Sequence, residues 1–149
     1  MIIPPRLKLI VLALGAVAVI IQLVPVSRSN PPVTAELEWD SPATKAFARA
    51  ACFDCHSYET RWPWYSYIAP VSWLIAKDVK EGREVLNFSA ITEDDSAGSL
   101  VKRINNGTMP PANYTALHPE ARLTVAQKQD FITGLKLSFQ SLSDQAKPK

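Results

Sequence analysis

An all-α fold, one helical domain behind a single N-terminal helix long enough to span a membrane, is predicted by three observations. No stretch of the 149-residue chain alternates apolar and polar side chains as a half-buried strand must. Apolar residues instead recur at helical spacing in separate segments, each bounded by capping residues, proline or glycine. The third is an uncharged apolar block near the front of the chain, Leu9 to Val26. The length suits one domain plus an appendage, divided as residues 1–28 (anchor or signal segment), 29–40 (linker), 41–142 (domain) and 143–149 (polar tail).

Leu9 to Val26 is 18 positions. At about 1.5 Å per helical residue it spans roughly 27 Å, near the lower limit for crossing a hydrocarbon core. A cleaved signal peptide is the competing reading, because the run is unbroken only as far as Ile21 and Gln22 interrupts it. The following residues, Val24 to Ser29, lack an A-x-A cleavage pattern, which favours a retained anchor. Arg6 and Lys8 hold the N-terminus on the cytoplasmic side, so either reading exports the rest. The expected arrangement is a single-pass anchor with the domain exported, or a soluble exported domain after cleavage. Setting aside Arg6, Lys8 and Arg28 leaves 13 basic residues against 14 acidic. No concentrated basic face marks a nucleic-acid partner, and a monomer is expected.

Asn30 to Asp40 contains prolines and little periodicity, and reads as a tether. Ser41-Pro42 opens a helix as cap and first residue, with Ala46, Phe47, Ala50 and Ala51 on one face small enough for close helix approach. Arg61 to Tyr67 is too aromatic and proline-broken for a regular element. Val71, Leu74, Ile75 and Val79 then predict an amphipathic helix from Pro70 to about Gly82. Thr92 followed by Glu93-Asp94-Asp95 reads as the start of another, with Leu100, Val101 and Ile104 inward and Asn106-Gly107 as its stop. Thr108-Met109-Pro110-Pro111 is a loop. Thr124-Val125-Ala126-Gln127 fits a capping box, and Phe131, Ile132, Leu135, Phe139 and Leu142 line the last helix. Gly134 on that helix costs about 1 kcal/mol relative to alanine, which a tight crossing with the Ser41 helix would explain.

Between these elements stands Cys52-Phe53-Asp54-Cys55-His56, the C-x-x-C-H sequence at which haem is covalently attached. Two thiols one helical turn apart can add across the two haem vinyl groups, and the adjacent imidazole can reach the iron. They are the only two cysteines present. A thiol redox couple is the first alternative, but that motif belongs after a strand in a βαβ setting. A zinc site is the second, yet it needs four ligands and only His118 remains to add one. Covalent attachment outside the bacterial cytoplasm agrees with the exported domain, so the expected location is the bacterial inner membrane, single-pass with the domain in the periplasm, or soluble periplasm after cleavage.

With His56 as proximal ligand, the opposite iron position decides between electron carrier and catalyst. Met109, held in a stiff Met-Pro-Pro loop, is the favoured distal ligand; His118 is the alternative, and an open site the third reading. Arg61, Lys102 and Arg103 can pair with haem propionates, and Trp62, Trp64 and Tyr65 can wall the haem.

Cys52–Ser57, Glu59–Ser66, Ile68–Trp73, Glu81-Gly82-Arg83, Leu86–Ser89, Met109-Pro110 and Leu117–Leu123, in this order, resemble the bacterial haem-binding domain family, small domains similar to c-type cytochromes. The resemblance runs over most of Ala43 to Leu137. It implies a cytochrome c-like helical domain with one covalent haem c and its iron, whose first and last helices cross closely. The expected function is one-electron transfer with a periplasmic or membrane redox protein rather than catalysis. A haem enzyme or gas sensor with a displaceable ligand, and a haem-bearing accessory subunit of a respiratory complex, are the alternatives.

Overall fold

The computed structural model describes residues 4–145, and every regular element among them is helical. Residues 146–149, most of the expected polar tail, lie outside it. The chain forms two compact units: Met1–Ser29 with Trp62–Asp78, and Asn30–Arg61 with Val79–Lys149.

In the first unit, α1 (Pro5–Ile20) starts with proline at its first position and continues through a tight turn, Ile21–Leu23. Together they are long and apolar enough to cross a membrane, and no residue of the pair is buried. The aromatic segment forms one 3₁₀ turn, Trp64–Tyr67, followed by α4 (Val71–Val85), whose residues to Asp78 belong here. The Gln22 that interrupts the apolar run joins the two pieces. Its side-chain amide donates to the carbonyl of Ala69 (3.3 Å) and accepts from the Ala69 N–H (2.9 Å). Arg28 donates to the Ser66 carbonyl (3.2 Å), with its guanidinium 4.4 Å from the Tyr67 ring centre. The expected inward stripe of α4 is corrected: Ser72 and Val79 are its buried positions, while Val71 and Leu74 are exposed. Periodicity reports which face is apolar, and does not report what covers it.

The second unit packs α2 (Pro42–Ala51), α3 (Phe53–His56), the end of α4, α5 (Ala97–Asn105), α6 (Ala112–Leu117) and α7 (Val125–Gln145). Ser41 caps α2 by accepting from the Thr44 N–H (3.2 Å) ahead of Pro42. At α7, the Gln127 N–H donates to Thr124 Oγ1 and the Thr124 N–H to Gln127 Oε1, a complete capping box. Three expectations need correction. α4 runs past Gly82 to Val85. Thr92 does not open α5: Asp95 accepts from the Thr92 N–H and hydroxyl and closes a turn, delaying the helix to Ala97. The expected tether is partly core. Leu37 is 2% exposed, and Trp39 packs on Phe53 and Phe88, with ring centres 6.0 and 5.2 Å away. Two apolar residues spaced by two in extended chain carry no helical signal, yet burying them holds this segment to the domain.

α2 and α7 cross at Gly134. A Cβ there would fall on Thr44 Oγ1 and crowd Asp40 Oδ1. This contact turns the packed face of α2 to Thr44, Ala48 and Ala51, leaving Ala46 exposed and Ala50 half-buried, a rotation from the expected face. Gly134→Val is therefore expected to lower stability by about 2 kcal/mol, the cost of overpacking outweighing the gain from removing a helical glycine. A drop in the thermal midpoint checks it; an unchanged midpoint would mean that the crossing is slack.

Candidate functional site

Cys52 ends α2 and starts the single turn α3, so its thiol and that of Cys55 come from positions three apart. The Cys55 and His56 N–H groups both donate to the Cys52 carbonyl, at 3.1 and 2.9 Å. Around this turn the chain is tied by its own hydroxyls: Ser57 to the Phe53 carbonyl (2.7 Å) and Thr60 to the Asp54 carbonyl (2.8 Å). Arg83 reaches from α4 to the Ser57 carbonyl (2.7 Å) and to Thr60 Oγ1 (2.9 Å).

The His56 ring is oriented by α4. Its Nδ1 lies 2.9 Å from the Gly82 carbonyl and 3.1 Å from the Leu86 carbonyl. Carbonyls only accept, so Nδ1 carries the proton and Nε2 keeps a lone pair for a metal. Burial pushes the imidazole pKa down, with the two carbonyls opposing it. A neutral ring whose second nitrogen is held by backbone oxygen is the arrangement of a metal-ligating histidine. Gly82 makes the approach feasible, since a Cβ would strike the carbonyl of Cys55.

Burial, then the neighbouring Cys55, pushes the Cys52 thiol up to about 12. Such a thiol stays protonated and is a poor attacking group in disulfide exchange, where a lowered pKa is required. No strand precedes the motif among the described residues, and there no group of three His, Cys, Asp or Glu side chains converges to hold zinc.

Cys52 and Met109 line one cleft of about 250 Å³, together with Ala51, Pro110, Leu123 and Phe131. Met109 is placed by the end of α5. Asn106 is the C-cap and Gly107, at φ 74°, takes the left-handed position. The N–H of Thr108 donates to Arg103 O (3.0 Å) and that of Gly107 to Ile104 O (3.3 Å), a Schellman motif. The Met109 N–H adds a third bond, to Arg103 O at 3.1 Å. His118 is placed differently. Its ring stacks on Tyr114 (centres 4.1 Å apart), and its Nδ1 lies 3.3 Å from Glu120 Oε1. Like Cys55 and His56, it is not among the residues lining the cleft that Cys52 and Met109 share.

The family model described as a haem-binding domain matches residues 16–137, a span holding the motif, the Met109 loop and His118. The chain belongs to the haem-binding domain family. No curated protein and no solved structure matches it. The donor set fits the group that this family binds: two thiols on one turn, an imidazole with a free Nε2, and a thioether on a largely apolar cleft.

Several residues that shape this haem-binding domain were not expected. Asp54, inside the motif and buried, accepts from the Arg61 N–H (3.0 Å), Nε (3.2 Å) and Nη2 (3.0 Å) and from the Tyr114 hydroxyl (2.7 Å). Arg61 is thus engaged with Asp54, which holds its guanidinium pKa up. Burial and Asp54 push the Tyr114 hydroxyl pKa well up, so it stays a donor. Lys102 and Arg103 are exposed on α5, while the basic side chains lining the cleft are Arg122 and Lys128. Trp62, Trp64 and Tyr65 fall in the first unit, where Trp64 packs edge-on against Tyr65 (5.7 Å) and the Trp62 indole N–H is buried without an acceptor among the described residues. A polar residue between the two cysteines was the one signal in sequence for Asp54.

Proposed function

We propose that this haem protein is a membrane-anchored, periplasmic c-type cytochrome-like carrier of single electrons. The observation that carries the reading is the His56 ring, fixed by two α4 carbonyls with Nε2 left to bind iron; Cys52 and Met109 line one cleft in the same unit. When bound, haem supplies a ferrous–ferric couple for one-electron transfer. Cys52 and Cys55 would hold it through thioethers, His56 would offer its Nε2 to the iron, and Met109 would offer its thioether sulfur as the second ligand. Leu123 and Phe131 give the cleft its apolar lining, and Arg122 and Lys128, which also line it, would be the cations to meet propionates. Pro5–Leu23 keeps the protein in the inner membrane, which confines it to periplasmic or membrane redox partners. The chain acts as a monomer, without breaking a substrate bond.

Denatured protein is expected to retain its haem through acid–acetone extraction and to give a pyridine haemochrome of two saturated vinyls. Pigment in the organic layer would overturn covalent attachment. The native ferrous protein is expected not to shift with carbon monoxide, and the ferric form to show a near-infrared methionine–sulfur band. Ready carbon monoxide binding would instead favour a gas sensor or enzyme.

A further inference from the structure

We infer that the aromatic segment Trp64–Leu74 is a second membrane contact, lying in the headgroup layer of the leaflet at which α1 ends. Between Arg61 and Lys77 the sequence carries no charged residue, from Trp62 through Ala76. Within Trp64–Leu74 the large side chains other than Tyr65 are exposed: Trp64 is 74% exposed, Leu74 62% and Tyr67 56%, with Ile68, Val71 and Trp73 also exposed. So many apolar groups turned to solvent from one short segment mark a contact surface.

Continuity with the spanning helix identifies the occupant as lipid. Gln22, at the last turn of that helix, brackets the backbone of Ala69, and Arg28 holds the Ser66 carbonyl and covers Tyr67. A helix of 19 residues starting at Pro5 is about 28 Å long, so Gln22 comes at its far end, where hydrocarbon gives way to headgroups. Tryptophan and tyrosine concentrate at that depth because an apolar ring and a polar N–H or O–H are both satisfied there. Arg28 suits the same depth, where its guanidinium lies over the Tyr67 ring and its charge is within reach of lipid phosphates. The exposed stripe of α4, unexplained as core, is then covered by acyl chains. This inference rests on Pro5–Leu23 being a span, a part of the proposed function.

The test places full-length holoprotein in nanodiscs of phosphatidylethanolamine and phosphatidylglycerol, labels it with a lipid-partitioned diazirine, and locates the label by mass spectrometry. Label is expected in both Leu9–Leu23 and Trp64–Leu74, with Val125 of α7, which is 81% exposed, left unlabelled. Trp64→Ser combined with Leu74→Ser should reduce labelling of the 62–76 peptide several-fold and leave that of the helix unchanged. Label confined to the helix would overturn the inference and leave the anchor intact, freeing the segment for a protein partner. Label at Trp64–Leu74 without the helix would overturn the span and, with it, the inference drawn from that span. Label in neither would overturn both, and equal labelling of Val125 would show exposure rather than lipid contact and overturn the inference.

Discussion

Gly82→Ala is expected to destabilise the haem domain by about 3 kcal/mol and to cut the yield of mature haem protein sharply. The added Cβ would meet the carbonyl oxygen, carbonyl carbon and Cβ of Cys55. Two of these are backbone atoms of the turn that presents both thiols, and they cannot rotate aside as a side-chain tip would. α4 has to retreat, and the Gly82 carbonyl that fixes His56 Nδ1 retreats with it. Overpacking costs roughly 1–3 kcal/mol and weakening a buried hydrogen bond about 1–3 more, against about 1 regained from helix propensity. Gly98→Ala in α5 is the control. A Cβ there meets nothing within 4 Å, so that variant should gain up to about 1 kcal/mol. Denaturant midpoints of the two variants, with haem yield, check the contrast; equal midpoints would mean that α4 does not press on the motif.

The contrast between Gly82 and the capping residues shows what can be read from a sequence of this kind. Ser41-Pro42, Asn106-Gly107 and the Thr124–Gln127 box were legible because a cap is decided by residues within four positions. The C-x-x-C-H motif is legible for the same reason. Gly82 reads locally as a helix stop, whereas its function is to let in a backbone 27 positions earlier. Asp54 and Tyr114 meet across 60 positions, and Leu37 and Trp39 enter the core from a segment without period. The donors at the site were therefore nameable in advance. The roles of their supports were not: Gly82, Arg83 and Asp54 stood in the resembling segments without a function and Tyr114 outside them, because each acts through a contact that only tertiary packing creates.

Met109→Ala is expected to change the chemistry of the site while leaving its haem in place. Cys52, Cys55 and His56 are untouched, so covalent attachment should persist. On the proposed ligation the substitution removes a thioether that favours ferrous iron, so the reduction potential should fall by on the order of 0.1 V, well inside the about 0.8 V that axial ligands span. The opened position should bind carbon monoxide and give weak peroxidase activity where the parent protein has little. Folding should survive, because Met109 is only half-buried and its loop is held through backbone bonds to Arg103 that alanine retains; a loss of about 1 kcal/mol is expected. His118→Ala should alter neither potential nor spin state, since that ring stacks on Tyr114 and pairs with Glu120. Redox titration and carbon monoxide difference spectra of the two variants decide the matter. Were the His118 variant to turn high-spin while the Met109 variant kept the parent spectrum, His118 would be the distal ligand. The site would then be a bis-histidine haem of lower potential, still an electron carrier but matched to different partners.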